Sequence, residues 1–528
     1  MESRIREHPI LTFQKGREVK ITFNGREVTA YEGEPIAVAL HADGVRVLTH
    51  SLKYYRPRGF FCAIGKCSSC LMRVNGVPNV KTCVIPVEDG MVVESQREHK
   101  SLLVQALLLV DRFKPVIYAG SQYHMFPGSK LVWGVTQKVV RSMVGFGEFP
   151  EPKNTVGSFQ SSESRAADLV VIGGGPAGLS AAIYGAKLGL KVVLVDENPA
   201  LGGQLVKQTH RFFGSMEYYA GTRGFEIGHI LENDLKVAGK VEVLLSSTVI
   251  GIYPDRLVGV VQKGGFCREH LIKIKTKRIV VATGAYERTL VFDNNDLPGV
   301  MGAGGVQTLM NVHGIRPGGN ALIIGAGNVG LILAYQLLQA GVNVSAVVEA
   351  MPRIGGYFVH AAKIRRMKVP IYTTHTILSA LGRDRVEGAV VAQLDDKWKP
   401  VPGSEKRVDC DFICVAVGLS PSFEFLYQAG CGLRYVPELG GLVPYQNEYM
   451  ETSQEGVYVA GDSSGVEEAT AAILGGRIAG LSAGISLSKG EGEAKELLSK
   501  FVKDLEEFRR NPIGERIKEA KKKVKLER

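Results

Sequence analysis

The chain has 528 residues, of which 45% are hydrophobic, 22% are charged and 63 are glycine. This composition is ordinary for a globular protein with large cores, and the glycines show no collagen-like period. At ~100–200 residues per domain, the length predicts about three domains.

The net charge is +11, and it is partly local, because residues 516–528 carry seven lysines and arginines against two glutamates. Basic stretches can bind nucleic acid or anionic lipid. No nucleic-acid motif accompanies this stretch, so we expect a solvated tail and no nucleic-acid partner.

Nothing in the sequence predicts export or a membrane span. Residues 1–15 are charged and lack the apolar core of a secretory signal. The longest apolar run, residues 102–110, is far shorter than the ~20 residues that cross a bilayer. The cysteines are grouped at ligand spacing rather than spread as a disulfide framework, so we expect a reducing, cytoplasmic location.

Residues 18–95 form the first predicted unit. An Asn24-Gly25 turn between two alternating segments predicts a β-hairpin, and residues 35–42 predict a short helix. Four cysteines follow at the spacing C-x4-C-x2-C-x12-C, namely Cys62, Cys67, Cys70 and Cys83. The first three match the plant-type ferredoxin spacing, in which four thiolates hold a [2Fe–2S] cluster.

A structural zinc site is the alternative, since four thiolates also suit zinc. The x4-x2 spacing and the hairpin–helix lead-in favour iron–sulfur. The small residues of the loop, among them Gly65, Ser68 and Ser69, suit a loop whose backbone N–H groups turn toward cluster sulfur.

The next stretch connects domains. Residues 98–144 predict a helical connecting element packed on its neighbours, and residues 149–164 have the Pro, Gly and Ser content of a linker. The main domain boundary is therefore expected in that linker.

A dinucleotide-binding motif follows the linker. Residues 169–172 predict a buried parallel strand, followed by Gly173, Gly175 and Gly178 at G-x-G-x-x-G spacing, and a helix over 177–188. Asp196 ends the next strand, 23 residues after Gly173, where a carboxylate can accept hydrogen bonds from both ribose hydroxyls. Strand, turn, helix and acid in register predict a nucleotide site.

Further elements continue this domain. A glycine turn at Gly202-Gly203-Gln204 could border the same nucleotide, residues 241–249 and 255–263 predict strands, and a buried strand runs into Thr283-Gly284. Later, a strand ends at Gly461-Asp462 and a helix is predicted from residue 467. Asp462 is placed to accept hydrogen bonds from a flavin ribitol, and the helix N-terminus would stabilise a reduced flavin anion.

A second strand–glycine–helix pattern contains Gly325, Gly327 and Gly330, a helix to about residue 340, and a strand that ends at Glu349. Glu349 takes the ribose-acid position, so NAD is favoured over NADP if a nicotinamide cofactor binds. Such a domain can also persist without a ligand. Cys410 and Cys414 are expected to be packed thiols on one strand face, and residues 497–508 predict a packed C-terminal helix.

Residues 165–485 resemble the two-dinucleotide flavoproteins related to glutathione and thioredoxin reductases. Two further stretches resemble the alpha subunit of heterotetrameric sarcosine oxidase: Tyr55-Arg56-Pro57-Arg58-Gly59, and residues 286–301, which end in Pro298-Gly299-Val300-Met301. They equally resemble the alpha subunits of dye-linked L-proline dehydrogenase, opine oxidase and hydrogen cyanide synthase. This resemblance covers nearly all of the chain up to about residue 485, and its motifs are specific.

The resemblance implies an α/β fold, with two Rossmann-like dinucleotide-binding domains of the glutathione-reductase type preceded by a β-grasp, ferredoxin-like domain. The expected divisions are 1–97 (ferredoxin-like [2Fe–2S] domain), 98–164 (connecting segment and linker), 165–290 with 422–485 (first, FAD-type domain), 291–421 (second, NAD-type domain) and 486–528 (C-terminal helix and basic tail).

The expected cofactors are a [2Fe–2S] cluster and FAD, with ATP or NAD as alternatives on the same fold and FMN at the contact with a partner subunit. The expected nucleotide-binding residues are Gly173, Gly175, Pro176, Ala177, Gly178, Asp196, Glu197, Gly203, Gln204, Thr283, Gly284, Gly325, Gly327, Gly330, Glu349, Gly461 and Asp462. The expected cluster ligands are Cys62, Cys67, Cys70 and Cys83. No catalytic residue is expected, because His210, His313 and His360 are isolated.

Some features depart from these families. The sarcosine oxidase alpha subunit is much longer, with a folate-binding half that this sequence lacks. No Cys-x-x-Cys lies near either glycine motif, which disfavours disulfide reduction, and no second cysteine cluster lies near the C-terminus.

The resemblance therefore implies an electron-transferring alpha subunit of a multi-subunit amine or imino acid dehydrogenase. A flavoprotein beta subunit would oxidise a substrate such as L-proline or sarcosine, and electrons would pass through flavin and the cluster to an acceptor. Further small ferredoxin-like subunits are possible partners. The alternatives are a stand-alone NAD(P)H-dependent FAD/iron–sulfur oxidoreductase and a non-catalytic scaffold subunit that holds a nucleotide.

Overall fold

The computed structural model describes residues 3–51, 56–96, 131, 133–134, 162–212, 215–264, 269–490 and 492–526. The chain forms two compact units: unit 1 comprises Met1–Asn154 and Thr289–Val417, and unit 2 comprises Thr155–Arg288 and Gly418–Arg528. Apart from residues 131, 133 and 134, the predicted connecting element at 98–144 lies outside the described residues. The five-part domain division stays a prediction.

The N-terminal part of unit 1 is a five-stranded sheet with one helix. Its elements are β1 (Glu18–Phe23), β2 (Arg26–Tyr31), α1 (Ile36–Ala42), β3 (Thr49–His50), β4 (Pro57–Arg58), β5 (Leu71–Val74), β6 (Val77–Lys81) and β7 (Val92–Ser95). The sheet order is β2-β1-β7-β5-β6, with β1 and β7 parallel. The predicted hairpin is confirmed, because Asn24 and Gly25 both adopt positive φ, as a type I′ turn requires.

Unit 2 begins with a long buried strand and a glycine loop. The elements up to residue 288 are β8 (Ser162–Ile172), α2 (Pro176–Lys187), β9 (Val192–Val195), α3 (Gly224–Val237), β10 (Val241–Leu244), β11 (Ser247–Tyr253), β12 (Leu257–Lys263), β13 (Glu269–Val281) and β14 (Ala285–Glu287). Six of these strands lie in the order β10-β9-β8-β13-β12-β11. The apolar run at 169–172 is fully buried, as predicted for a parallel strand covered on both faces.

One strand prediction in this region is wrong. Residues 241–249 form two strands rather than one, because Ser246 adopts a left-handed φ of 49° and turns the chain between them. The chain therefore leaves the parallel edge strand β10 and enters β11, which pairs antiparallel with β12.

The remainder of unit 1 is a second parallel sheet. Its elements are β15 (Val300–Gly302), α4 (Ala303–Gln307), a π-helical turn (Thr308–Val312), β16 (Asn320–Ile324), α5 (Asn328–Gln339), β17 (Asn343–Val348), α6 (Phe358–Arg366), β18 (Ile371–Tyr372), β19 (His375–Leu381), β20 (Gly388–Gln393), β21 (Lys406–Val408) and β22 (Phe412–Val415). The parallel sheet runs β15-β22-β16-β17-β18. Cys414 lies within β22 whereas Cys410 precedes it, so the two thiols are buried but do not share a strand face, contrary to the prediction.

Unit 2 resumes at residue 418. Its further elements are β23 (Leu419–Pro421), α7 (Glu424–Gln428), β24 (Leu433–Val436), β25 (Gly441–Pro444), β26 (Val457–Val459), α8 (Ala469–Ile485), α9 (Glu493–Phe508) and α10 (Pro512–Lys522). Strand β26 adds to the large sheet beside β13. Helix α8 packs against α2 and α9, and every residue from Thr470 to Gly484 is buried.

The prediction of a solvated basic tail is correct only in part, because Arg516, Lys522, Lys523 and Lys525 are exposed whereas other residues of the stretch pack on unit 2. Much of that stretch forms α10, and Ala520 and Val524 are buried in a small core with Val436, Leu439 and Val443. The positive charges are spaced so that one helix face remains apolar, which the charge count alone does not show.

None of the helices in the described part of the chain is long and apolar enough to cross a membrane.

Candidate functional site

The first glycine loop lies in unit 2, between β8 and α2. Gly173 has a φ of 104°, and a Cβ there would stand 2.3 Å from the Ala282 carbonyl oxygen. A Cβ on Gly178 would stand 1.7 Å from the Gly173 carbonyl oxygen. A Cβ on Gly175, by contrast, would approach only the Gly203 Cα, at 3.8 Å. The fold requires the first and third glycines, whereas Gly175 faces open space of the kind that a pyrophosphate fills.

Helix α2 begins at this open space. Gly175 is its N-cap residue and Pro176 its first residue, and no side chain caps the helix. Proline suits this position because its missing N–H would have no helical partner. The N–H groups of the first turn thus place partial positive charge beside Gly175, which favours a bound phosphate.

Asp196 closes the loop from the next strand. One carboxylate oxygen accepts a hydrogen bond from the Gly174 N–H at 2.5 Å. The other accepts from the Asn198 backbone N–H at 2.7 Å and its side-chain amide at 2.9 Å. A carboxylate has about four lone-pair sites, so capacity remains for a ribose hydroxyl. Asp196 therefore holds the loop itself, a role that the sequence did not predict. Glu197, beside it, is exposed.

The predicted Gly202-Gly203 turn borders the loop. The Gly202 N–H donates to the Gly174 carbonyl at 2.9 Å. A Cβ on Gly203 would stand 2.7 Å from the Gly175 Cα. The turn therefore forms a second wall of the space above Gly175, and the predicted residue Gln204 is exposed beside it.

Lys207 is a residue that sequence reasoning missed. It ends the short 3-10 helix after this turn and is only 6% exposed. Burial lowers the pKa of its amine to about 8, and the charge of Glu287 opposes that shift. No sequence signal distinguishes Lys207 from a surface lysine.

The predicted Thr283-Gly284 and Gly461-Asp462 turns meet at the ends of β13 and β26, which are parallel neighbours. Ser463 joins them, because its hydroxyl lies 3.2 Å from the Thr283 hydroxyl and donates to the Gly284 carbonyl at 3.2 Å. A Cβ on Gly461 would stand 2.9 Å from the Ala177 Cβ. Unit 2 therefore brings three of the predicted nucleotide elements to one edge of its sheet.

Asp462 is largely enclosed at this edge. Burial raises the pKa of its carboxyl to about 6, while the Glu467 N–H, which donates to it at 3.3 Å, opposes the shift. The helix predicted from residue 467 begins later, at Ala469. Residues 463–468 therefore lie between the Gly461-Asp462 turn and the helix N-terminus.

The second glycine loop, in unit 1, repeats this geometry. Gly325 has a φ of 109°, and a Cβ on Gly330 would stand 2.0 Å from the Gly325 carbonyl oxygen. A Cβ on Gly327 would have nothing within 4 Å. Glu349 accepts hydrogen bonds from the Ala326 N–H at 2.7 Å and the Met351 N–H at 2.9 Å.

A glycine pair was also missed beside this second loop. The Gly355 and Gly356 N–H groups both donate to the Ala326 carbonyl, at 3.1 and 3.0 Å. The pair follows Glu349 at the same spacing by which Gly202-Gly203 follows Asp196. This repeated spacing is a signal that could have identified it.

The four predicted cluster ligands lie together in unit 1. Cys62, Cys70 and Cys83 are buried and Cys67 is partly exposed, and none forms a disulfide. The Cys67 and Cys83 thiols contact the Cys62 thiol and lower its pKa, while the same contacts raise the pKa of Cys67 and Cys83. The thiols of Cys70 and Cys83 are also in contact.

Backbone N–H groups point at these sulfurs, as the small residues of the loop predicted. The Cys62 sulfur accepts from the N–H groups of Ile64 and Cys67, and the Cys67 sulfur accepts from that of Ser69. Ala63 and Gly65 adopt left-handed φ values, which turn the loop inward. Such N–H···S bonds stabilise thiolates that ligate iron and tune the cluster potential.

Four thiolates suit a single zinc ion as well as a [2Fe–2S] cluster. The C-x4-C-x2-C spacing of Cys62, Cys67 and Cys70 favours the cluster, and so do the N–H groups directed at the sulfurs of Cys62 and Cys67.

The cysteine loop packs on the second parallel sheet of unit 1. The Gly302 N–H donates to the Phe61 carbonyl at 3.2 Å, and a Cβ on Gly305 would stand 2.2 Å from that oxygen. Nearby, Arg56 and Arg58 both pair with Asp296; burial raises the pKa of its carboxyl, but the two arginines outweigh burial and hold that pKa below its ordinary value. Arg56 and Arg58, from one family-like stretch, thus meet Asp296, from the other, across 240 and 238 residues of sequence.

Comparison with known proteins agrees with this geometry. Residues 167–476 match the family described as pyridine nucleotide-disulphide oxidoreductase, and residues 16–98 match the 2Fe-2S iron-sulfur cluster binding domain. The fold and sites thus define a flavin-dependent oxidoreductase with an N-terminal [2Fe–2S] domain. The chain belongs to the pyridine nucleotide-disulphide oxidoreductase family. The predicted α/β fold class is confirmed, and the two matches imply FAD and a [2Fe–2S] cluster.

Individual relatives are subunits of larger enzymes. The chain is 30% identical over 365 residues to the alpha subunit of sarcosine oxidase from Rhizobium meliloti (strain 1021), which covers 66% of this chain and 36% of that relative. It is 29% identical over 340 residues to an opine oxidase subunit from Agrobacterium tumefaciens (strain Ach5), covering 60% and 65%. The match thus spans less than two thirds of either relative.

A solved structure covers more of the chain. L-proline dehydrogenase from P. horikoshii has a TM-score of 0.64 at 25% identity, over 94% of this chain and 79% of that one. The predicted resemblance to the sarcosine oxidase alpha, opine oxidase and proline dehydrogenase group is confirmed.

Proposed function

We propose that this chain is the electron-transferring subunit of a multi-subunit dehydrogenase that oxidises an amine or imino acid, with L-proline and sarcosine as the substrate class. The substrate site would lie on a partner flavoprotein subunit. The observation that carries the proposal is the packing of the cysteine loop against the second parallel sheet of unit 1, where the Gly302 N–H donates to the Phe61 carbonyl and a Cβ on Gly305 would clash with that carbonyl. The cluster domain is therefore built into a dinucleotide fold rather than tethered to it.

The residues of unit 2 fit FAD. Gly175 offers open space beside the α2 N-terminus, Asp196 retains a free lone pair, and Asp462 lies where the Thr283-Gly284 and Gly461 turns meet. When bound, a flavin accepts a hydride and can release single electrons, which is what a one-electron cluster requires. The chain's own contribution is to bind the nucleotide, exclude water from the buried turns and hold the cluster.

Unit 1 fits a nucleotide with an unmodified ribose. Glu349 holds the second glycine loop, and a carboxylate at that position repels a 2′-phosphate, so NAD or ATP fits better than NADP. We propose that this fold holds an adenine nucleotide and that an FMN lies at the contact with the partner subunit.

Purification of the chain alone and with its flavoprotein partner tests the proposal. We expect dye reduction by proline or sarcosine only when both chains are present. We also expect the absorbance of a [2Fe–2S] cluster in the chain alone, with about two irons per chain. Cys67→Ser should remove that absorbance, and Cys431→Ser, which alters a buried thiol of unit 2, should leave it unchanged. An unchanged Cys67→Ser spectrum would refute the cluster.

A stand-alone NADH-dependent oxidoreductase is the second candidate, and the intact second glycine loop favours it. In that case NADH would bleach the flavin absorbance of the isolated chain with no partner present. Adenine nucleotide without flavin in the isolated chain would instead indicate a scaffold role.

A further inference from the structure

The C-terminal segment of unit 2 folds back onto the stretch that follows the Gly461-Asp462 turn. Backbone hydrogen bonds fasten its end: the Gln446 N–H donates to the Val524 carbonyl at 3.0 Å, and the Leu526 N–H donates to the Gln446 carbonyl at 2.9 Å. The Gln446 side chain also donates to the Ser464 carbonyl at 3.4 Å. The segment is thus held against the stretch that follows Gly461.

Lys521 reaches that stretch from α10. Its Nζ donates to the Ser464 carbonyl at 2.6 Å and to the Ser464 hydroxyl at 3.0 Å. It also lies 3.6 Å from the Glu467 carboxylate. Burial lowers the pKa of the amine to about 8, and Glu467 opposes the shift. Because a buried ammonium is costly without partners, its three oxygen partners indicate that Lys521 has a structural role that a surface lysine does not have.

Arg509 completes the contact from α9. Its Nε and a terminal nitrogen donate to the two oxygens of Glu467 at 2.9 and 2.6 Å. The Glu467 side chain is 8% exposed, and those of Arg509 and Lys521 are each 14% exposed. A bidentate pair of this kind fixes orientation as well as distance.

This cluster leads directly to Asp462. The backbone N–H of Glu467 donates to the Asp462 carboxylate, and the Gly465 N–H donates to the Asp462 carbonyl at 3.1 Å. On the other side, Ser463 is bonded to Gly284. The position of Asp462 therefore depends on two anchors, one from the sheet and one from the C-terminal helices.

We propose that residues 493–526 are a clasp that positions Asp462 in the nucleotide site of unit 2, with Lys521 and Arg509 as positioning residues. The inference rests on the proposed function in one respect, namely that FAD binds at Gly461-Asp462. Removal of the Lys521 ammonium leaves the Ser464 carbonyl with the longer hydrogen bond from Gln446, leaves Glu467 paired with Arg509, and loosens the turn that carries Asp462. By thermodynamic reciprocity, FAD binding must in turn tighten the clasp.

The test uses the full chain after removal of bound nucleotide, with FAD as the added probe. Lys521→Gln should weaken FAD binding by about tenfold or more, a usual size for coupling between sites. Lys522→Gln is the matched control, because it removes the same charge from the neighbouring, exposed residue, which pairs along the helix with Glu519. Lys521→Arg should recover part of the affinity, and the bound-flavin circular dichroism should change with Lys521→Gln alone. Wild-type affinity and an unchanged flavin spectrum in folded Lys521→Gln would overturn the clasp.

Hydrogen exchange of the wild-type chain keeps the inference testable if Lys521→Gln does not fold. FAD should slow exchange in Pro512–Lys522 although no FAD contact is proposed there, and unchanged exchange in that helix on FAD binding would overturn the clasp. A wild-type chain that binds no FAD would overturn the proposed assignment of FAD to unit 2 and the clasp with it. Iron content, which reports on unit 1, should be the same in all variants.

Discussion

The two units carry the same five-stranded parallel arrangement, and they differ at one strand. Unit 2 has the order β26-β13-β8-β9-β10, and unit 1 has β15-β22-β16-β17-β18. Strands β26 and β15 therefore hold equivalent positions. In unit 2 the strand leads into Gly461-Asp462, whereas in unit 1 it ends at Gly302, whose N–H donates to the Phe61 carbonyl of the cysteine loop.

The glycine loops of both units share more than their three glycines. In each, the acid accepts from the N–H of the residue after the first glycine and from that of the residue two after itself. In each, a glycine pair covers the loop. In each, a buried base stands four residues after that pair: Lys207 in unit 2 and His360 in unit 1. Burial lowers the pKa of both bases.

This comparison teaches that the glycine–acid pattern is first a folding device. The acid accepts hydrogen bonds from N–H groups of the loop itself. The units differ at the end of the equivalent strand. In unit 2 this end leads to the Gly461-Asp462 turn, and in unit 1 it contacts the cysteine loop. The proposed functions of the two units therefore differ because of these strand ends and not because of the shared glycine–acid motif.

The largest expected effect comes from the third glycine of each loop. Gly178→Ala and Gly330→Ala would each place a Cβ within 2.0 Å of a carbonyl oxygen. Because the nearest atom is backbone, each should lower the free energy of unfolding of its own unit by about 3 kcal/mol or more. Hydrogen exchange resolved by unit measures this. Gly228→Ala, whose Cβ would make only ordinary contacts, is the control. If one substitution lowered the free energy of unfolding of both units equally, the prediction that each loop stabilises only its own unit would be contradicted.

Gly305→Ala tests the difference between the equivalent strands. A Cβ there would stand 2.2 Å from the Phe61 carbonyl, so the cysteine loop must move. We expect overpacking to lower the free energy of unfolding of unit 1 by about 2 kcal/mol. We also expect a reduced iron content. Nucleotide bound to unit 2 should be unchanged. Full iron occupancy in a folded Gly305→Ala chain would show that docking and cluster binding are independent.

Asp196→Asn and Glu349→Gln compare the acids. Each amide keeps one acceptor oxygen but loses the charge, so hydrogen bonds to a charged group are lost. Asp196 accepts three hydrogen bonds and Glu349 two. We expect a loss of about 2 kcal/mol for Asp196→Asn and less for Glu349→Gln, measured by urea unfolding of the nucleotide-free chain. The reverse order would contradict the comparison.

Local pattern explains which parts of this structure were predictable. The strand–glycine–helix–strand–acid runs, the Asn24-Gly25 hairpin and the cysteine loop each depend on residues close in sequence, and the structure has them as predicted. The Gly355-Gly356 pair was predictable too, because it follows Glu349 at the same spacing by which Gly202-Gly203 follows Asp196.

Long-range partners explain what was missed. The basic tail was predicted to be solvated because Lys521 finds Glu467 only after the chain has folded back. Likewise, the Arg58–Asp296 pair joins residues that no local pattern connects. Composition counts charges but does not show which of them become buried.

The units should also respond oppositely to acid. His41 in unit 1 is 4% exposed, and burial, with the nearby Arg46 charge, lowers its pKa to about 3. The unfolded chain therefore takes up the proton first as pH falls below about 6.5, and His41 by itself costs unit 1 roughly 1.4 kcal/mol per pH unit down to about pH 3.

Asp462 in unit 2 makes the opposite contribution to the pH dependence of stability. Its pKa is raised to about 6, so the folded state takes up the proton first. The nucleotide-free unit 2 gains stability as pH falls from about 6 toward 4 and loses it as pH rises through 6. Pulse proteolysis in urea, with peptides assigned to each unit, measures both trends. His41→Asn and Asp462→Asn should each flatten the slope of one unit only, and a common slope in both units would contradict the assignment.

The smallest effect on stability is the most informative about ligands. Gly175 and Gly327 have φ values of −74° and −73°, which alanine adopts freely, and neither position has a neighbour closer than 3.8 Å. Alanine at either position should change the free energy of unfolding by less than about 1 kcal/mol, with a slight gain because alanine restricts the unfolded chain.

The new methyl group would nevertheless stand where the pyrophosphate approaches. Gly175→Ala should therefore strip nucleotide from unit 2, and Gly327→Ala should strip it from unit 1. Extraction and quantification of nucleotides from the two stable variants separates the folding role of each loop from its binding role. A variant that keeps the full wild-type nucleotide content identifies a loop that is retained for folding alone.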